Sequence, residues 1–389
     1  MPRGVWALGL VSMFMDISSE MVHGLLPVFL VTSLGASTAM VGLIEGVGES
    51  TASICKLFSG WLSDRIGHRK LLAIIGYGLG ALSKPVFAVA PNPWWVLGGR
   101  FSDRIGKGIR GAPRDALIAD MVPEGIRGAA FGLRQSLDNV GAFVGPALAI
   151  ALMVALHNSF RQVFWLAVIP GLIAVAVLAI GVQEPAHPGH AAATGSLGWK
   201  SLGRLGARFW AVVIVGAVLT LARFSEAFLI LRAQSAGLPL AWAPIVLVVM
   251  NIVYAVSAYP LGALSDRWNR ESIVKAGFLV LIVADIVLAL AHGFAIVMCG
   301  VAIWGLHMGM TQGLLAALVA DHAPRELRGS AFGLFNFCSG IALLFASLIA
   351  GLLWKAFGPS ATFLAGAGLT AVGLLASLPL VTERSMTRS

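Results

Sequence analysis

Charge is what this chain has least of. Asp, Glu, Lys and Arg make up only 12% of its 389 residues, about half of the roughly 25% usual in a soluble domain. Apolar residues make up 58%, and the mean hydropathy is +0.87. No water-soluble core could hide that much apolar surface, so the expected solvent is lipid. Cysteine is also scarce. Cys55, Cys299 and Cys338 lie in separate apolar runs and no CxxC occurs, which excludes a disulfide framework or a zinc-ribbon site. HExxH, a nucleophile elbow and a Walker motif are all missing, so neither hydrolytic chemistry nor ATP-driven work is expected. Gly106 to Gly111 spells GxGxxG, but no strand precedes it and it falls inside an apolar run, so it is not read as a dinucleotide site. His307-Met308-Gly309-Met310 offers soft ligands, yet packing is the more frequent role of such residues. No metal, catalytic residue or cofactor is expected.

What remains is a series of apolar runs of about the 20 residues needed to span a bilayer. They fall at 4–31, 38–62, 71–90, 94–119, 128–155 and 162–182, then at 207–232, 240–264, 273–291, 295–320, 329–355 and 360–381. The first run follows Met1-Pro2-Arg3 but is broken by Asp16 and Glu20 and closed by no small-residue cleavage site. It is therefore read as a span and not as a signal peptide. The expected fold is all-α and integral to the membrane, with twelve transmembrane helices in two six-helix bundles, 1–182 and 207–389. A hydrophilic linker, 183–206, joins them.

The net charge of +9 is a topology signal and not a nucleic-acid footprint. One set of connections carries fifteen Lys and Arg; the opposite set carries two, Arg161 and Lys355. By the positive-inside rule the first set, with both termini, is cytoplasmic. In a bacterial cell that places the chain in the inner membrane. The halves also repeat. Gly60-x-Leu-Ser-Asp64-Arg65 returns as Gly262-x-Leu-Ser-Asp266-Arg267, and Asp120, Arg127 and Ala130-Phe-Gly-Leu133 return as Asp321, Arg328 and Ala331-Phe-Gly-Leu334. Parallel six-helix repeats place a substrate site near the midplane.

These residues resemble the major facilitator superfamily. Gly60-x-Leu-Ser-Asp64-Arg65-x-Gly67-x-Arg69-Lys70 is similar to that family's signature loop between helices 2 and 3, with a degenerate copy at 262–270. Asp120 and Asp321, seven residues before Arg127 and Arg328, resemble its acid–arginine element. Arg104-x-x-x-Gly108 resembles a motif tied to proton coupling, and Gly141-x-x-x-Gly145-Pro146 one common in proton-driven exporters. The resemblance implies a central cavity between the halves, lined by helices 1, 4, 7 and 10. It also implies a cytoplasmic gate at Gly60, Asp64, Arg65, Arg69, Asp120, Arg127, Asp266, Arg267, Asp321 and Arg328. Gly141, Gly145 and Pro146 should form a close helix-packing motif.

Charge inside a membrane is costly and reads as function by default. The first half holds seven such acids and eight such bases; the second holds Glu226, Asp285, Arg223 and Arg232. Asp16, Glu20 and His23 share one face of helix 1, and Glu45, Glu49 and Lys56 share one face of helix 2. On helix 4 the seven ionisable residues from Arg100 to Asp115 fit within about 140° at 100° per residue. Arg134 and Asp138 can pair at i, i+4. The expected proton-coupling residues are Asp16, Glu20, Glu49, Arg104 and Asp138. The expected substrate-binding residues are Glu20, Glu45, Arg100, Arg104, Lys107, Arg110, Glu226, His307 and Gln312.

The expected function is secondary active transport of a small polar or charged solute by alternating access, as proton-driven export. The alternative is proton-coupled import of an organic anion. A membrane-embedded enzyme would need a compact catalytic constellation, and a transport-dead sensor would carry a signalling domain. The expected partners are the solute, protons and the lipid bilayer, without nucleic acid and with the chain as a monomer.

Overall fold

The computed structural model describes residues 1–66, 68–123, 126–184, 205–265, 270–323 and 328–376. Every regular element among them is a helix. α1 runs Arg3–His23 and resumes at Leu26–Thr32; α2 is Thr38–Ile66, α3 Arg69–Val89, α4 Pro93–Met121 and α5 Arg127–Ala155. α6 comprises Phe160–Leu166 and Val168–Gly181, and α7 comprises Ala207–Ala222 and Ala227–Ser235. Then come α8 (Ile245–Ser265), α9 (Arg270–Leu290), α10 (Phe294–His322), α11 (Arg328–Phe357) and α12 (Pro359–Ala376).

Twelve helices match the twelve apolar runs, with three corrections. The run 4–31 is not continuous, because Gly24 and Leu25 interrupt it ahead of Pro27. The run 207–232 breaks between Ala222 and Ala227 without a proline. The run 240–264 opens as a 3₁₀ turn, Leu240–Trp242, and becomes α-helix only at Ile245. Nine of the described helical stretches are long and apolar enough to cross a membrane. α2 and α4 fall outside that set; they hold five and eight charged residues respectively. α12, at 18 residues, is only just one span long.

Local sequence explains the ends. Asn92 caps α4, its side-chain oxygen accepting from the Trp94 and Trp95 amides at 3.1 and 3.4 Å, with Pro93 at the first helical position, where no donor is needed. Between α11 and α12 a single residue turns the chain. Gly358 has φ +84°, a left-handed conformation that only glycine adopts freely.

The described residues form two compact units. One contains α1, α2 from Val47 onward, α3 to α6 and the segment Leu240–Ile245; the other contains Ser37–Gly46, α7 and the chain from Val246. In each, the surface is apolar where a soluble protein would be polar. Ile180 on α6 is 84% exposed, as expected of a lipid-facing side chain, and Leu172, Val372 and Leu375 are exposed as well. In the first unit a cluster of Val5, Leu8, Met15, Tyr77, Leu117 and Leu178 ties α1, α3, α4 and α6 together. The linker residues 185–204 lie outside the described residues.

Candidate functional site

Charged side chains of α2, α3 and α4 meet in the first unit, and small residues bring these helices close. On α4, a methyl group added at Gly106 would strike the backbone of α3 at Gly76 and Gly80, and one at Gly108 would strike Cys55 of α2. On α2, one at Gly48 would meet the Arg100 and Arg104 side chains at 3.0 and 3.4 Å. Close packing of this kind is how helices associate where lipid removes the hydrophobic drive.

Several of the first unit's buried charges are paired. Glu49 bridges two guanidinium groups, 3.1 Å from Arg104 and 3.6 Å from Arg100. Asp103 accepts a 2.8 Å bond from the Lys84 ammonium, with Arg104 at 3.8 Å and the Ser83 hydroxyl at 3.4 Å. Lys84, Arg100, Asp103 and Arg104 are all buried. Arg110 is buried over the Tyr77 ring, 4.8 Å from its centroid. Arg114 bonds Asp115 and the Ser12 hydroxyl, each at 3.0 Å. Such pairing is required, because an ion left alone in low dielectric is unstable. Lys107 differs: it is exposed between buried neighbours on α4, within electrostatic reach of Asp16, Glu20 and Glu49.

The two acids of α1 are held by α5. A methyl group at Gly141 would come within 2.6 Å of the Met13 carbonyl and 2.9 Å of the Asp16 Cβ. One at Gly145 would come within 2.8 Å of the Glu20 Cβ and 2.9 Å of the Ile17 carbonyl. The packing motif therefore sits directly on the acid-bearing face, and α5 continues as helix through Pro146. His23 lies 3.7 Å from Glu20. Arg134 and Asp138 pair at 2.7 Å.

At one end of the unit, α3 is tied to two neighbours. The Arg69 side chain pairs with Asp120 at the end of α4. Glu184 accepts the Arg69 amide at 2.6 Å, and the Lys70 ammonium donates to the Ala179 carbonyl of α6 at 2.7 Å. Arg127 opens α5 and is exposed. Gly60, Asp64, Arg65, Asp266, Arg267, Asp321 and Arg328 lie outside the residues whose side chains are described.

The other expected contact residues have these seats. Glu45 is buried in the second unit, where the Ser225 hydroxyl of the α7 break donates to it at 3.4 Å. His307 is fully buried against α9, its Nδ1 2.8 Å from the Gly277 carbonyl. That seat gives it a packing contact within the unit. Gln312 is half-buried on α10 and Glu226 half-buried at the start of the second piece of α7.

Sequence reasoning missed two arginine caps. Arg161 donates to the Ala88 and Ala90 carbonyls at the end of α3, both at 2.8 Å. Arg232 donates to the Leu288 and Ala291 carbonyls at the end of α9, at 2.8 and 2.7 Å. The third helix of each unit thus ends on a guanidinium that satisfies its orphan carbonyls. The arginines come from α6 in one unit and α7 in the other, so no repeat in the sequence announces them.

Residues 8–347 match the model of the Major Facilitator Superfamily. An uncharacterized MFS-type transporter of Methanocaldococcus jannaschii is 33% identical over 382 residues, covering 96% of this chain and 94% of its own length. A gentisate transporter of Corynebacterium glutamicum is 28% identical over 85% of this chain and 77% of its own. Among solved structures, a mutant of the nucleoside transporter NupG superposes with a TM-score of 0.83 over 97% of this chain and 99% of its own, at 12% identity. With twelve helices, two units and a family match over most of its length, the chain belongs to the major facilitator superfamily, and it is a multi-pass membrane transporter and not an enzyme.

Proposed function

We propose that the protein exports a small polar or charged solute in exchange for protons, by alternating access, and that the charged faces of α1, α2 and α4 in the first unit carry the coupling. The observation that carries this reading is the seat of Gly141 and Gly145 against the Cβ atoms of Asp16 and Glu20. A helix movement at that contact shifts both acids relative to Lys107 and to the Glu49–Arg100–Arg104 bridge. Protonating Asp16 or Glu20 removes a charge that Lys107 otherwise meets, so proton binding and rearrangement are linked. Asp138, engaged by Arg134, and Glu49 are the next carriers. Arg69, Asp120 and Arg127, with their counterparts in the repeat, act as the cytoplasmic gate. The charge asymmetry of the connections supports a cytoplasmic membrane location with both termini inside.

A second reading is proton-coupled import of an organic anion. The cluster of Arg100, Arg104, Lys107 and Arg110 on one helix supports it, as does the likeness to a gentisate transporter. Everted membrane vesicles energised by respiration separate the two. Addition of an exported solute should collapse part of the pH gradient in vesicles carrying the protein and not in empty ones. If only aromatic or aliphatic carboxylates respond, and they leave the vesicles with protons, the import reading replaces export. If no solute from a panel of anions, cations and zwitterions moves protons, both fail.

A further inference from the structure

The second unit holds one carboxylate that nothing above employs. Asp285 on α9 is fully buried, and neither of its oxygens has a hydrogen-bond partner. No Lys, Arg or His of the described residues stands within ion-pair distance. A bare charge there, surrounded by apolar side chains at membrane depth, is among the costliest arrangements a protein can hold.

Its surroundings explain how it is tolerated. The Asp285 carboxyl points at Gly366 of α12. A methyl group at that glycine would touch Asp285 Oδ2 at 2.8 Å, the Ala222 carbonyl oxygen at 3.2 Å and the Phe224 ring at 3.3 Å. Ala222 ends the first piece of α7, where the chain leaves the helix before Ala227. The last carbonyls of a helix lack intrahelical donors and carry its negative end. A carboxylate and a carbonyl only accept hydrogen bonds, while a carboxylic acid donates one. An ionised Asp285 therefore adds a second negative group to the pocket around Gly366, which a protonated one does not. Phe224 stacks with Phe228, Trp304 and Phe363 at 5.5, 5.6 and 5.4 Å between centroids, which keeps water out.

The charged groups on the packed elements are otherwise occupied. Arg232 is bound to the α9 carbonyls. Arg223 and Glu226 act on each other across the α7 break. His307 of α10 is held by Gly277. α12 contributes no ionisable side chain. Lys275 of α9 lies ten residues, almost three turns, from Asp285.

We propose that Asp285 is a second proton-binding site, separate from the acids of α1, which holds a proton in the apolar pocket near the carbonyl end of the first piece of α7. The inference does not depend on which solute is carried, nor on Asp16 and Glu20 being the coupling acids.

Infrared spectroscopy of the purified full-length protein in nanodiscs, across a pH series, tests it. The wild type should show a carboxylic C=O band that is missing from Asp285→Asn at neutral pH, while the amide bands of the two proteins coincide. Gly366→Ala, whose added methyl presses on Asp285 Oδ2, should shift that band. If the carboxylic region is the same in wild type and Asp285→Asn, Asp285 holds no proton and the proposal is overturned. Should Asp285→Asn fail to fold, an unshifted band in Gly366→Ala overturns it alone. Loss of the wild-type band on adding sodium at fixed pH would make this a sodium site instead.

Discussion

Replacing Lys84 with Met should destabilise the first unit by about 3 kcal/mol, and replacing Asp103 as well should restore most of it. The Lys84–Asp103 pair is buried on both sides, with 2.8 Å between the charged atoms. Breaking such a pair by removing one partner costs roughly 3–5 kcal/mol, because the survivor is left as an uncompensated charge. Here the survivor is not entirely alone: Asp103 keeps Arg104 at 3.8 Å and the Ser83 hydroxyl at 3.4 Å. These partners offset part of the lost ammonium, so the lower end of the range applies. At roughly 2–4 °C per kcal/mol for a unit of this size, the melting temperature should fall by roughly 6–12 °C. In Lys84→Met/Asp103→Asn no charge is stranded, and Arg104 still has Glu49 at 3.1 Å. The double variant should regain about 2 kcal/mol relative to Lys84→Met. The assay is thermal unfolding in one detergent, with all four proteins of the cycle measured in parallel. Additive losses in the double variant would show that the two residues do not act as a pair, and the reasoning about neutrality in the charged faces would fail with them.

Gly145→Val should abolish transport while leaving the protein in the membrane. Its Cβ alone would sit 2.8 Å from the Glu20 Cβ, and overpacking of this kind costs about 1–3 kcal/mol; wild-type transport rates in vesicles would contradict the role given to the α5 motif. Arg161→Leu frees the Ala88 and Ala90 carbonyls, each charge-assisted bond being worth about 1.5–3 kcal/mol, so lowered thermal stability is expected, and an unchanged melting curve would count against the cap. Arg69→Asp should slow turnover more than solute binding, and Arg69→Asp/Asp120→Arg should recover part of it; equal rates in both would mean that the observed pair does not gate.

The twelve spans and the repeat were legible because lipid enforces long apolar runs and the loop motifs recur at nearly one spacing. The helix breaks were less so. Pro27 marks the first, but Arg223 to Glu226 contains no proline or glycine, and only the buried serine that accepts the Ala227 amide, at 3.2 Å, hints at it. The charged face of α4 was visible from its periodicity, and the Arg134–Asp138 pair from its spacing. The Glu49 bridge required knowing which helices are neighbours. Glu45 shows the limit of face reasoning. It shares a helical face with Glu49 four residues on, yet α2 is divided between the two units, and Glu45 falls on the other side of that division. Glu184, which caps α3, lies 115 residues from Arg69 in the chain, beyond the reach of any local signal.

The central claim is that protons drive transport through the acids of α1. Purified protein in liposomes, loaded with a pH-sensitive dye and given an inside-acid gradient, tests it most directly. Solute exchange should dissipate the gradient in the wild type, and Asp16→Asn/Glu20→Gln should still exchange solute down its own gradient while moving no protons. Undiminished, gradient-driven accumulation of solute by that double variant would contradict the account.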